Sequence, residues 1–245
     1  MLLKRDMLDF LHKDRIKNGL SPLIKTLGVV SLVGFMMIVF RVLNEKNIRF
    51  AFLIWNLFLA WVPLFLSLGI NHINKNMKYG AKKTIYLLFL GFSWLMFFPN
   101  APYIVTDVIH LSIYNYYHNI SEYAYNFNTD FMIWYDLILI MLFIFTGYIV
   151  GHISLYNMHK IIEEKLEKVV GWIFVCIVSF LSGFAIYLGR FLRLNSWEMA
   201  SNPVNLIKAI LASINIGSIK FTLMFGFFIF LIYIVMYNLS FLKNE

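Results

Sequence analysis

W-L-M-F-F-P-N-A-P-Y-I-V-T-D-V-I-H-L, Trp94 to Leu111, begins as the end of an apolar run, breaks at Pro99 and restarts at Asn100. The restart carries polar groups that a membrane segment does not take on without cause. Asn is a favoured helix N-cap, and a proline in a first turn removes an N–H that had no helical partner. Asn100 is therefore expected to open a new helix, with Pro102 in its first turn. On that helix Tyr103, Asp107, His110, Tyr114 and Tyr117 fall at alternating spacings of four and three and share one face. Apolar residues (Ile104, Val105, Val108, Ile109, Leu111) fill much of the rest, so the polar stripe needs a polar partner or water.

The composition supplies the setting. Of 245 residues, 60% are hydrophobic, 18% aromatic and only 14% charged. A soluble domain is nearer half apolar and a quarter charged. The expected fold is all-α, a polytopic transmembrane helix bundle, with the lipid bilayer as its first partner. The net charge of +8 then reads as membrane topology, and no soluble segment is long enough to be a nucleic-acid-binding domain. A single Cys176, inside an apolar run, excludes an intramolecular disulfide and a thiolate metal cluster.

About six spans are expected, at roughly 23–43, 50–70, 84–98, 131–156, 169–189 and 219–241, each judged against a hydrocarbon core about 30 Å thick. Residues 1–22 mix Lys, Arg and Asp with a rough apolar face, and are expected to form a cytoplasmic amphipathic segment ahead of a single transmembrane domain, 23–245. The first run is longer than a signal-peptide core and shows no small-residue cleavage site, so it is expected to be retained. The third run is short for a crossing, which with Pro99 predicts a broken or re-entrant helix. The polar stretches 71–83 and 157–168 are expected to be loops, and a short helix is expected at 201–218, opened by Asn202 and Pro203.

Taking the loops alternately divides the 21 basic residues about two to one, and the richer side holds both termini. Both termini are thus expected in the cytoplasm. The stretch 99–130, without a Lys or Arg, falls outside. Asp136 then lies about one and a half turns into the fourth span from its outer end, and Arg190 and Arg193 close the outer end of the fifth. On the fifth span Ser179, Ser182, Gly183, Ile186 and the two arginines share a face. Asn195 and Glu198 have capping-box spacing and are expected to begin a further short helix. His152 is sixteen residues beyond Asp136, about 24 Å along a helix, and with His159 lies too far inward to join this group.

Polar groups from distant parts of the chain are thereby expected at one leaflet, around a pocket open to the extracytoplasmic side. His110 is the candidate general acid/base, because an unperturbed imidazole titrates near neutrality, with Asp107 or Asp136 to orient it. The candidate substrate-binding residues are Asn100, Tyr103, Thr106, Arg190, Arg193, Asn195, Trp197 and Glu198, with the arginines matched to an anionic headgroup. Asp107 and His110 could also ligate a divalent metal with Asp136 or Glu198, although ligand pairs at this spacing arise often by chance. Equally, both aspartates could do no more than neutralise the arginines, and the arginines could snorkel to the headgroups. The Tyr and Trp residues of 114–135 read most economically as an aromatic belt.

The segment F-F-P-N-A-P-Y-I-V-T-D-V-I-H-L, the W-Y-D at Trp134–Asp136 and G-R-F-L-R-L-N-S-W-E at Gly189–Glu198 resemble the bacterial integral-membrane family known as domain of unknown function 1361. The resemblance covers roughly 85–240, and Leu194 stands where an aromatic residue is as often expected. It implies that the three motifs belong together, in a bacterial plasma membrane, and it carries no activity. Three functions are weighed. One is binding or processing of a lipid or lipid-linked anionic substrate. The others are a transporter or flippase subunit, and a non-catalytic assembly or scaffold subunit. Polar residues gathered near one face instead of along a path count against transport.

Overall fold

A computed structural model describes residues 2–121, 124–194 and 203–239, with side chains from residue 22 onward apart from 120, 121, 203, 205 and 206. Among the described residues six segments are long and apolar enough to cross a membrane: Pro22–Glu45, Phe52–Asn76, Ala81–Ile113, Phe131–Lys165, Lys168–Phe191 and Ile216–Leu239. The protein is an all-α polytopic membrane protein. It divides into two compact units, Met1–Ala51 and Phe52–Glu245.

The first unit is one helix, α1 (Leu2–Glu45), with a short tail. Its backbone runs through Pro22 without a break, so the N-terminal segment and the first span form one continuous helix. Beyond it the chain turns at Lys46, whose φ is 50°. The Arg41 guanidinium ties the turn down, donating to Asn47 O at 3.0 Å and lying 4.5 Å from the Phe50 ring centroid.

The second unit holds α2 (Phe52–Asn76), α3 (Ala81–Phe97), α4 (Asn100–Tyr103), a 3-10 helix (Ile104–Ile113), strands β1 (Tyr117–Ser121) and β2 (Ala124–Phe127), and then α5 (Phe131–Lys165), α6 (Lys168–Phe191), α7 (Pro203–Ala212) and α8 (Ile216–Leu239). Two of the expected loops are largely helical. α2 continues to Asn76, where Lys83 Nζ donates to the carbonyls of Asn74 (2.7 Å) and Met77 (3.1 Å) near its C-terminus. α5 continues to Lys165 because Met158, His159 and Ile161 keep its buried face going beneath the charges. α7 begins at Pro203, as expected. α8 is opened by a reciprocal cap, in which Asn215 N–H donates to Ser218 Oγ (2.9 Å) and Ser218 N–H to Asn215 Oδ1 (3.0 Å).

The third span is broken after α3, in a different way from the one expected. Phe98 and Pro99 keep right-handed helical angles, and Pro99 occupies the capping position. Asn100 is no N-cap: it lies inside α4 and its Nδ2 donates back to Phe97 O at 2.9 Å. Prolines 99 and 102 lack the N–H groups that would close α-helical bonds to Leu95 and Phe98, so the helix tightens. Ala101 N–H instead reaches Phe98 O at 3.0 Å. From Ile104 the coil is 3-10, with three residues per turn, and it ends at Ile113. The expected α-helical face therefore dissolves beyond Asp107 and His110. Tyr114 is extended and Tyr117 begins a strand.

The broken segment is seated on α5 through glycine. A Cβ on Gly151 would lie 2.6 Å from Ala101 Cβ, and one on Gly147 would lie 3.0 Å from Ile104 Cγ2. Trp94 and Phe98 join Leu155, Met158, Val175, Val178 and Tyr233 in the core, where Trp94 Nε1 donates to Ser154 Oγ at 2.8 Å. The small-residue face of α6 packs on α8. Ser179, Ser182 and Gly183 are buried, and a Cβ on Gly183 would lie 2.7 Å from the Thr222 carbonyl oxygen.

Candidate functional site

The end of α6, the 3-10 helix and the start of α2 meet around one carboxylate. Asp107 is 1% exposed, and each of its oxygens has a partner. Arg190 Nη2 donates to Oδ1 at 2.8 Å, and Asn56 Nδ2 donates to Oδ2 at 2.7 Å. The last turn of α6 carries Arg190 to this point, while Asn56 lies on the second turn of α2. In a 3-10 coil Ile104, Asp107 and His110 line up every third residue, which turns Asp107 inward beside Ile104.

Arg190 is held on further sides. Its Nε donates to Thr106 Oγ1 at 3.0 Å, and its Nη2 also donates to that oxygen. The Thr106 hydroxyl in turn donates to Tyr103 O at 2.7 Å. The guanidinium carbon lies 4.6 Å from the Tyr103 ring centroid, a cation–π geometry. Gly189 lets that ring lie close to α6, since a Cβ there would come within 3.2 Å of Tyr103 Cε2. A buried carboxylate paired with a guanidinium and hydrogen-bonded on both oxygens is a form in which a charge persists in an apolar interior.

The second candidate carboxylate, Asp136, has a different partner, Tyr114. Asp136 is fully buried in the second turn of α5, and the Tyr114 hydroxyl donates to its Oδ2. Tyr116 packs edge-on against Tyr114 and Trp134, with ring centroids at 6.3 and 5.8 Å. Burial, and then the Asp136 carboxylate, push the Tyr116 phenol above its ordinary value.

Next to the Asp107–Arg190 pair is a cavity of about 180 Å³. Asn56, Asn100 and Tyr103 supply polar groups to its wall; Trp55, Met96, Ile186 and Leu194 supply apolar surface. Two of these polar groups are fastened to the ion pair itself, Asn56 by a hydrogen bond and Tyr103 by its ring.

The structure thus brings together Asn100, Tyr103, Thr106, Asp107 and Arg190 from the expected set. His110 stands apart from the cavity wall, its ring centroid 4.5 Å from that of Phe52. Arg193 leaves the buried face of α6, adopts a φ of 58° and is exposed. Asn195, Trp197 and Glu198, with the short helix expected to begin at Asn195, lie outside the described residues. Among the described residues no three His, Cys, Asp or Glu side chains are grouped to hold an ion, and Glu198, the other expected third ligand, lies outside them. The reason is geometric, since Asp107 spends both oxygens on Asn56 and Arg190 while Asp136 faces Tyr114. Asn56 was not anticipated; its signal is a single amide within the apolar run 52–70.

The family model described as "Protein of unknown function (DUF1361)" matches residues 55–232. No curated protein and no solved structure matches the chain. The match takes in all three motifs and spans well over half of the sequence, and the chain belongs to this family.

Proposed function

We propose that this member of the family binds a lipid or lipid-linked molecule with an anionic head in the cavity beside Arg190, at the extracytoplasmic leaflet of a bacterial plasma membrane. What carries the proposal is the junction of cavity and ion pair. Asn56 and Tyr103 belong to both, so the polar wall is held in place before any ligand arrives. Arg190 is not part of the cavity wall but stands behind Tyr103. Among the described residues it uses Nε and Nη2 on Thr106 and Asp107, and Nη1 is the donor that an anionic head reaching past Tyr103 would meet. Its side chain is 19% exposed, against 1% for Asp107. The apolar wall suits an acyl or prenyl chain entering from the membrane. The two-to-one division of basic residues supports cytoplasmic termini, and hence an outward-facing cavity.

Binding is favoured over chemistry because the acid/base candidate, His110, does not line the cavity. Its place in this reading is one residue-triplet along from Asp107, ready for a proton step only if a ligand extends to the Phe52 side.

The test is lipid retention. The purified protein should retain a labelled anionic phospholipid over its zwitterionic counterpart. Ala185→Phe, which fills the cavity from α6, should lose that retention while the protein stays folded. Equal retention by the wild type and Ala185→Phe would refute the proposal. His110→Ala that keeps the lipid but loses the cellular phenotype would add a catalytic step to the binding.

A further inference from the structure

We infer that the β1–β2 hairpin is an interfacial anchor, resting an aromatic face on the lipid headgroup layer beside the start of α5. In the ribbon Tyr117 pairs with Phe127 and Asn119 with Tyr125, so these four side chains share one face. His118 pairs with Asn126 on the other. The first face is aromatic and open: Tyr117 is 56% exposed, and Tyr125 and Phe127 are each 58% exposed. Their rings pack on one another, with centroids 5.6 Å apart for Tyr117–Tyr125 and 5.4 Å for Tyr125–Phe127.

The base of the ribbon is fastened to a membrane-crossing segment. Asn128 N–H donates to Tyr116 O at 2.8 Å, and Asn128 Nδ2 donates to Asn115 O at 3.2 Å. Trp134, in the first turn of α5, donates from Nε1 to Asn128 O at 2.7 Å. The carboxylate of Asp130 caps Met132 N–H at 2.9 Å, and the apolar segment opens at Phe131. The hairpin base is therefore fixed at the depth where α5 enters the membrane.

Dimensions decide its attitude. A five-residue strand is about 17 Å long at about 3.4 Å per residue. The polar layer on each side of a hydrocarbon core is only about 5–8 Å thick. Upright, the ribbon would keep Tyr117 and Phe127 at its base but lift Tyr125, two residues further along, about 7 Å beyond them to the outer edge of the layer. Lying flat, it places all three within the layer, where Tyr rings with an apolar body and a polar tip are favoured. The stretch 99–130 holds no Lys or Arg, so the face makes its contact through rings and phenols without cationic steering to phosphate.

The test first reads the two faces separately, with the aromatic residues in place. In a Cys176→Ala background, Asn119→Cys and Asn126→Cys each carry an environment-sensitive fluorophore, with the full protein in phosphatidylcholine vesicles. Nitroxide lipids labelled at the headgroup or at the fifth acyl carbon should quench the probe at 119 and not that at 126. Aqueous iodide should show the reverse preference. Equal iodide quenching at both positions overturns the inference, because the ribbon then stands in water. Shielding at 119 without nitroxide quenching also overturns it, because a second copy of the chain then covers the face. Replacing Tyr117, Tyr125 and Phe127 together by Ser should abolish nitroxide quenching at 119; persistence of the quenching refutes the aromatic contact.

Discussion

Arg190 and Asp107, 83 positions apart in the chain, meet with Nη2 2.8 Å from Oδ1. The pair joins the end of α6 to the 3-10 helix, and Asn56 extends it to α2. Removing one member leaves a charge in an apolar place, which costs about 3–5 kcal/mol for buried pairs. Asp107→Ala is expected to fall in that range by thermal unfolding in detergent. Arg190→Met should cost less, because the arginine is partly exposed. The double variant should recover part of the sum, and a double-mutant cycle measures that coupling. Asn56→Leu should cost about 1–3 kcal/mol, the penalty for a buried acceptor left without a donor.

Trp94 Nε1 and Ser154 Oγ form an isolated pair in the core, 2.8 Å apart, with Trp94 1% exposed and Ser154 fully buried. Ser154→Ala is expected to destabilise the protein by about 1–3 kcal/mol, since the indole N–H loses its acceptor. Adding Trp94→Phe should recover the hydrogen-bond part of that loss, although the smaller ring leaves a cavity. The four-member thermal cycle separates the two effects.

Gly226 and Gly183 set the approach of α6 and α8. A Cβ on Gly226 would lie 2.5 Å from Phe180 Cδ1 and 2.9 Å from Phe180 Cα, and one on Gly183 would lie 2.8 Å from Gly226 N. The backbone atoms among these cannot turn aside, so Gly183→Ala and Gly226→Ala are each expected to cost about 1–3 kcal/mol by overpacking. Gly91 has nothing within 4 Å of the same construction. Gly91→Ala should be neutral or up to about 1 kcal/mol stabilising, from helix propensity alone. Melting temperatures of the three variants test the contrast.

Tyr116 predicts an alkaline response. Its phenol is pushed above the ordinary value by burial and by Asp136, and its buried hydroxyl has no hydrogen-bond partner among the described residues. An unfolded chain would release this proton from about pH 10 upward while the folded protein retains it. Its share of stability is therefore intact below about pH 10 and declines as pH rises towards the folded pKa. Tyr116→Phe should be close to neutral at pH 7 and should make the loss of stability above about pH 10 shallower. Unfolding measured between neutral and alkaline pH checks both parts.

The spans were legible because apolar runs of this length have no other economical use. Their ends were not. Charges in 157–165 read as a loop, whereas Met158, His159 and Ile161 continue the buried face of α5 beneath them. At the candidate site the spacing of Asp107 and His110 fits 3.6 and 3.0 residues per turn alike, so only Tyr114 and Tyr117 could have separated an α-helix from a 3-10 coil. Alternating the spans places Asp107, Asp136 and the two arginines at one leaflet without choosing partners; in the structure Asp107 meets Arg190. Asn56 was hidden because one amide in an apolar run carries no spacing. The ribbon at 117–127 was hidden too, since its alternation extends over only four or five residues per strand.

Chain order gives the Asp107–Arg190 contact a bearing on biogenesis. Asn56 and Asp107 leave the ribosome well before Arg190, so the carboxylate first has an amide for company and no counter-charge. A nascent chain stopped short of α6 is thus electrically unfinished. Completion of the fifth crossing closes that deficit, which makes it a natural checkpoint between an inserted polypeptide and an assembled one.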